Sequence, residues 1–334
     1  NYQTIGRVGQ QLGADLYLGP IYTWGTIGGR TDFYMWKPVF LDYSYNFAVR
    51  NFRHGSFGNI TKIDNTRQVK NSESFFSVAA GMPLAHRGVF LIRANGGHVN
   101  YRYDSDELFA DDTDHSRYSF FGIKAELARN TLDKFLYPRR GSDLKLSGIF
   151  VTGRDKYEPF DAEKFLSRTS RQWVGARLTW DKYFDMPGCS WFSLGLNVDG
   201  VITNHPEFTT EGATVMSMPA YEPVPHAQMI YMPDFRGKRF AAGGVMPTFD
   251  LMPNFFLRTG FYAMFREKRS FVPGVSGPVE DKRWHYIAEA SLVYHTPIGP
   301  VSLALTKYDL RNWKNMYLTF NFGYAIFAPK GTFY

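Results

Sequence analysis

The sequence predicts an all-β chain, an antiparallel transmembrane β-barrel of 16 strands. Three observations predict it. Apolar and polar side chains alternate with a period of two along most of the 334 residues. The alternating runs are about ten residues long, where a strand of a globular domain usually has five or six. The connections between them alternate between short and long. The closing run shows the pattern best: Met316, Leu318, Phe320, Phe322, Tyr324 and Ile326 are apolar, and Tyr317, Thr319, Asn321, Gly323 and Ala325 stand between them. Period two gives a strand one oily face and one small or polar face. Eleven residues at about 3.3 Å each, tilted by roughly 40°, cover the hydrocarbon of a thin bilayer.

In chain order, strands are placed at 1–8, 11–23, 29–37, 40–51, 56–64, 73–82, 87–101, 117–129, 142–152, 171–183, 190–201, 239–250, 254–265, 284–295, 299–308 and 315–327. Leu12, Ala14, Leu16 and Leu18 oppose Gly13, Asp15, Tyr17 and Gly19. Leu41, Tyr43, Tyr45, Phe47 and Val49 oppose Asp42, Ser44, Asn46, Ala48 and Arg50. Phe121, Ile123, Ala125 and Leu127 oppose Gly122, Lys124, Glu126 and Ala128; Leu144, Leu146 and Phe150 oppose Lys145 and Ser147. Val174, Ala176, Leu178 and Trp180 oppose Gly175, Arg177, Thr179 and Asp181. Phe192, Leu194, Leu196 and Val198 oppose Ser193, Gly195, Asn197 and Asp199. Tyr286, Ala288, Ala290, Leu292 and Tyr294 oppose Ile287, Glu289, Ser291 and Val293. On this register Lys124, Glu126, Lys145, Arg177, Asp181 and Glu289 point into a lumen, where opposite charges can pair without touching lipid. Connections near 185–188, 251–253 and 296–298 are short. Those ending near 72, 116, 170, 238 and 283 are long and polar, as outer loops are. An even strand count puts both chain ends on the short-turn side.

A soluble sandwich would alternate too, with its apolar face inward. Strand length favours the barrel. So do aromatic residues near strand ends (Tyr22, Trp24, Trp36, Tyr43, Tyr101, Tyr118, Trp180, Tyr183, Trp191, Tyr294, Tyr308 and Trp313), as in interface girdles. Aromatics make up 17% of the chain and charged residues 21%. The mean hydropathy of −0.30 and the lack of an unbroken apolar run of about 18 residues argue against spanning helices; neither bears on a barrel. The net charge of +7 comes from cations scattered singly, which fits a polar lumen better than a nucleic-acid surface. Cys189 is the single cysteine, so no disulfide framework exists. The chain opens Asn1-Tyr2-Gln3 without an initiator Met or a signal peptide. One barrel domain over 1–334, the C-terminal part of a longer protein, is the expectation.

Three motifs carry a family resemblance. The long connection 202–238 ends in Pro233-Asp234-Phe235-Arg236-Gly237-Lys238; Thr296-Pro297-Ile298-Gly299-Pro300 forms a turn; Leu136-Tyr137-Pro138-Arg139-Arg140-Gly141-Ser142 leads into a strand. In this order they resemble the BamA/TamA-type outer-membrane barrel superfamily, the bacterial surface-antigen barrels, over about residues 117–327. The resemblance implies a 16-stranded antiparallel transmembrane β-barrel with an inward-folded sixth outer loop, in the bacterial outer membrane. It implies a loop-tip lock in the lumen at Phe235, Arg236 and Gly237, with Asp250 as the carboxylate for Arg236. A buried loop-tip cation needs such a partner. Many members carry a second Asp on the next strand; here that region reads Ala263-Met264-Phe265. The closing Phe320-Asn321-Phe322-Gly323-Tyr324 looks most like the barrel of patatin-like phospholipase fusions, and Phe320, Phe322, Gly323 and Tyr324 mark the expected seam between first and last strands.

No catalytic motif is present. Gly274-Val275-Ser276-Gly277-Pro278 does not match the Gly-x-Ser-x-Gly elbow. The eight histidines never stand at metal-ligand spacing, so no metal or cofactor is expected. Asp104, Asp106, Glu107, Asp111, Asp112 and Asp114 form an acidic outer loop, read as solvated, with calcium or ion-bridged lipopolysaccharide as alternatives. The chain is expected to be non-enzymatic: a barrel that anchors or helps translocate a patatin-like domain, or alternatively a BamA/TamA-like insertase, with a passive porin and a soluble sandwich as rivals. The expected partners are outer-membrane lipid and lipopolysaccharide, an N-terminal periplasmic or passenger domain or client barrels, and a second copy in a homodimer, with no nucleic acid.

Overall fold

The computed structural model describes residues 2–4, 8–19, 22–34, 37–53, 68–104, 113–158, 167–186, 188–224, 227, 232–267, 283–297, 299–308, 316–323 and 330–333. Its strands are β1 (Tyr2–Thr4), β2 (Val8–Tyr17), β3 (Tyr22–Tyr34), β4 (Pro38–Arg53), β5 (Gln68–Leu84), β6 (Gly88–Asp104), β7 (Thr113–Asn130), β8 (Gly141–Glu158), β9 (Ser167–Met186), β10 (Cys189–Thr203), β11 (Arg239–Met252), β12 (Phe255–Arg266), β13 (Trp284–Thr296), β14 (Gly299–Tyr308) and β15 (Met316–Phe322). All lie in one antiparallel sheet in chain order. Fourteen have seven residues or more; β1 has three.

Among the described residues the sheet has 15 strands, fourteen of them long, and not the expected 16. β4 pairs directly with β5, from Phe40↔Gly81 to Arg53↔Gln68. No strand stands between them, and predicted strand 56–64 falls outside the described residues. Predicted strands 11–23 and 29–37 were divided in the wrong place. β3 runs straight through Gly25, Gly28 and Gly29, and the reversal lies between Tyr17 and Tyr22. Those glycines serve close packing and do not mark a turn: a Cβ on Gly28 would sit 2.3 Å from the Tyr43 carbonyl oxygen. The last strand is described from Met316 to Phe322, and predicted residues 324–327 lie outside the described residues. Gly323 turns out of it at φ +79° and donates its amide to the Pro300 carbonyl at 2.9 Å.

Among the described strands β1 and β15 run in the same direction, toward the end of the short turns. Connection 204–238, expected as the sixth outer loop, is the fifth on its side counting from β2–β3. Among the described residues β1 pairs only with β2, and β15 only with β14. Among the described residues the sheet therefore has two edges without a partner strand.

The faces decide between barrel and sandwich. Phe76, Leu178, Leu292 and Phe320 point away from the interior and are exposed, Phe320 by 69%. On the opposite face Arg50, Glu73, Asp199, Glu289, Ser291 and Thr306 are buried. Oily residues bare and polar residues enclosed is the arrangement of a membrane barrel and the inverse of a soluble sandwich. The girdle expectation holds for Tyr43, Trp191 and Tyr294, which face out. It fails for Tyr22, Trp24, Tyr101, Tyr118, Tyr183 and Tyr308, which are buried inside. These rings fill the lumen. Trp173 sits there with Tyr118 at 5.5 Å and His205 at 4.5 Å between ring centres.

Leu178 lies in the middle part of β9, facing lipid. Leu178→Arg should destabilise the barrel by about 2–4 kcal/mol in reversible refolding into vesicles, and Leu178→Met by less than about 1.5 kcal/mol.

Candidate functional site

Segment 204–238 returns into the lumen and carries its own structure. Thr210 caps helix α1 (Glu211–Ser217), its side chain accepting from the Ala213 amide. Ala213 through Ala220 are buried. A short 3-10 turn, Pro233–Phe235, begins at a proline, which suits a first turn because its missing N–H is not needed there. Two backbone bonds tie the arms of the segment together: Tyr221 N donates to Phe235 O at 2.9 Å, and Gly237 N to Pro219 O at 3.1 Å.

The wall holds this segment from several sides. Arg177 on β9 donates to Asp199 on β10 at 2.6 Å and to the Ala220 carbonyl at 3.1 Å. Asp155 on β8 accepts from the Thr209 amide at 3.1 Å and hydroxyl at 3.0 Å. Tyr221 donates to Asn197 at 2.7 Å. Phe208 packs edge-on against Tyr118, and Phe235 against His285 and Tyr308. His205 is buried on Trp173, and burial pushes its pKa down to about 3, so its ring stays neutral.

Phe235, Arg236 and Gly237 are all buried, as a loop tip in the lumen requires. Arg236 donates through Nη1 to the carbonyls of Met216 at 2.9 Å and Met218 at 3.2 Å. Asp250, its expected partner, instead accepts from Arg139 at 2.5 Å. The reason is distance along the strand: Asp250 lies eleven residues beyond Arg239, the first residue of β11, roughly 36 Å at about 3.3 Å per residue. The second anchor comes from the next strand, but from Arg266 and not from its Ala263-Met264-Phe265 stretch. Arg266 Nε donates to the Asp234 carbonyl at 3.1 Å, and Arg266 is 1% exposed. Its spacing of two and four from buried Met264 and Tyr262 was the available signal.

At the seam, Phe320 and Phe322 face outward. Gly323 ends the strand instead of loosening its middle, and Tyr324 lies outside the described residues. Of the charges expected in the lumen, Lys124 pairs with Glu126, Asp181 accepts from Asn197 at 2.8 Å, and Glu289 accepts from Ser291 and Thr306. Lys145 pairs with Asp143 at 2.7 Å but is about half exposed.

Two further parts of the lumen had no signal in the spacing. Connection 131–140 reaches from β7–β8 across to β11–β14: Tyr137 donates to Ser302 at 3.0 Å, packs on Phe256 and lies under the Arg258 guanidinium. Residues 330–333 also sit inside. Asn95 donates to the Gly331 carbonyl and the Gly331 amide to Glu73, both at 2.9 Å. A Cβ on Gly331 would meet the Phe120 ring at 2.6 Å, so this close approach requires glycine.

The Gly274–Pro278 stretch and acidic residues Asp106, Glu107, Asp111 and Asp112 lie outside the described residues. Among the described residues no group of three or more His, Cys, Asp or Glu side chains is placed to hold a metal ion.

No family model matches this sequence, and no curated protein matches it. Solved structures do match in fold. BamA from Haemophilus ducreyi lacking POTRA domains 1–3 superposes with a TM-score of 0.62 at 12% identity, covering 94% of this chain and 65% of that one. This chain thus spans less than two thirds of that protein. The alcaligin outer membrane receptor FauA from Bordetella pertussis (TM-score 0.42, 12% identity, 94% of this chain and 51% of that one) and CdiB from Acinetobacter baumannii (0.35, 9%, 95% and 59%) match more loosely. The chain has an outer-membrane β-barrel fold, on the strength of the BamA superposition.

A double-mutant cycle checks the relocated ion pair. Arg139→Ala and Asp250→Ala should couple by about 0.5–1 kcal/mol in detergent unfolding. Arg236→Ala and Asp250→Ala should add independently.

Proposed function

We propose that this chain is a plugged outer-membrane barrel that handles protein, as a translocation or assembly unit, and is not a diffusion pore. The observation that carries the reading is a filled lumen beside two edge strands that have no second partner strand among the described residues. Side chains, segment 204–238, connection 131–140 and the tail occupy the interior, so bulk solute has no wide path. An unpaired strand edge offers a row of backbone donors and acceptors on which another strand can be laid.

Within that class the preferred reading is the anchor and translocation barrel of a patatin-like phospholipase-type protein. It rests on the closing-strand motif Phe320-Asn321-Phe322-Gly323-Tyr324. A BamA/TamA-like insertase is the second reading, favoured by the BamA-like fold and the free edges. Either role places lipid and lipopolysaccharide against the exposed apolar belt, with a passenger domain or client strands as protein partners.

Planar-bilayer recording separates these roles from a porin. The intact protein should carry no steady large current, and replacing residues 205–236 with a short linker should open one. A steady large current from the intact protein would sink the plugged reading. Thr319→Cys then divides the two protein-handling roles: cross-links from β15 to newly made barrel strands in cells support the insertase, and their absence supports the anchor.

A further inference from the structure

Residues 330–333 lie in the lumen as a turn and not as a strand of the sheet. The Phe333 amide donates back to the Lys330 carbonyl at 3.2 Å. The surroundings meet this turn residue by residue. Lys330 donates to both oxygens of Glu222 on the inserted segment at 3.0 Å. The Gly331 amide donates to Glu73 of β5, and the Gly331 carbonyl accepts from Asn95 of β6, both at 2.9 Å. The rings of Phe120 and Phe75 close over Gly331, where a Cβ would sit 2.6 and 3.0 Å from them. Phe333 packs on the lumen core beside Gly122 of β7. A Cβ on Gly122 would meet the Phe333 ring at 2.9 Å, so glycine leaves the ring its place. A cation, a bare glycine and an aromatic ring each find a matching feature.

The wall does not need the turn in order to form. The ladders of β5–β6 and β6–β7 run unbroken past it: Glu73 stands opposite Val99, and Asn95 opposite Ser77 and Gly122. Losing the turn therefore costs no strand pairing. The groups that hold its backbone are wall side chains, and one is fixed independently. Arg50 donates to Glu73 Oε1 at 2.5 Å, and the Gly331 amide uses the other oxygen, Oε2. Such charge-assisted bonds are the stronger kind. A filler of space needs only bulk; this place requires a particular order of residues.

We propose that the lumen contains a peptide-binding site, and that turn 330–333 is its ligand supplied in cis. The ligand class is a short peptide turn of pattern Lys-Gly-x-aromatic. Glu222 reads the lysine, Glu73 and Asn95 read the glycine backbone, and the space beside Gly122 reads the ring. Residues 324–329 tether the turn to β15. A short tether gives an effective concentration on the order of millimolar, so the intact chain fills its own site. A peptide of the same pattern takes that place once the cis copy is weakened. The site serves either protein-handling role and does not depend on which one is correct.

The test uses the full chain in detergent. Gly331→Leu should eject the turn, because its side chain has no room beside Phe120, while Glu73, Asn95 and Glu222 are unchanged. Lys330→Met with Phe333→Ala vacates the site by a second route. Ejection is read at Thr332→Cys in a Cys189→Ser background. Thr332 is 8% exposed, so a water-soluble maleimide should label the introduced thiol slowly in the parent and fast in both variants. A dye-labelled peptide Ala-Pro-Lys-Gly-Thr-Phe-Tyr is then titrated by fluorescence anisotropy, with circular dichroism showing that the sheet is intact. It should bind both variants saturably and leave the intact chain unbound at the same concentrations. Replacing the peptide's lysine with methionine should weaken binding about 10–100-fold, and Glu222→Gln added to Gly331→Leu should do the same. A thiol that stays protected in both variants, a vacated chain that binds no peptide, an intact chain that binds as tightly as a vacated one, or equal affinity for the lysine and methionine peptides would each overturn the proposal.

Discussion

A wall of fifteen strands encloses more space than its own side chains can fill, and the rest of this structure answers that constraint. Lipid claims the oily half of every strand, as exposed Leu178, Leu292 and Phe320 show. The other half joins buried rings such as Tyr118 and Trp173 to polar and charged residues, and leaves both space to fill and polar groups that do not tolerate burial without partners. Segment 204–238 supplies both missing ingredients. Phe208, Met216, Tyr221 and Phe235 bring apolar bulk. The carbonyls of Ala220 and Asp234 accept from wall arginines Arg177 and Arg266.

The charges on the inner wall specify position more than they add stability. An enclosed ion pair gains little net energy over apolar packing, yet breaking one leaves an uncompensated charge and costs about 3–5 kcal/mol. Arg50–Glu73 ties β4 to β5, and Arg177–Asp199 ties β9 to β10. Arg177 reaches on to the inserted segment, and Glu73 reaches on to the Gly331 amide. Each pair thus fixes a register and one piece of lumen content at once. A lumen filler that slipped by a residue would strand one of these groups without its partner.

Much of the wall was legible in the alternation, because side-chain direction in a strand depends only on parity. The faces of β4, β7, β9, β10 and β13 came out as their sequences require: Asn46, Ala48 and Arg50 inward, Phe121 and Ile123 outward. Parity is silent about what a residue meets across the lumen. The family resemblance implied Asp250 as the partner of Arg236, and the length of β11 separates them. Tyr137 and Ser302 are 165 residues apart in sequence, and no local pattern links them. Glycine misled in both directions. Gly25 and Gly28 fell in the gap between predicted strands 11–23 and 29–37 but lie within β3, while Gly323 fell inside predicted strand 315–327 but bends out of β15 at φ +79°. The aromatic residues misled because a ring near a strand end suits either a lipid interface or a wide lumen, and their spacing does not distinguish the two.

The open edge and the filled lumen are two aspects of one feature. The alternation of the closing run continues to Ile326, so sequence pattern alone would carry β15 further along β14. The described strand runs to Phe322. Seven residues after Gly323, Lys330 is bound to Glu222 deep in the interior. Seven residues of chain span at most about 25 Å, so a tail docked in the lumen limits how far β15 can extend along its neighbours. Gly323, at φ +79°, lies where β15 ends, a backbone conformation that favours glycine. What holds the tail inside therefore also bears on whether β15 can meet β1. An occupant that displaced the tail would change the lumen and the edge together.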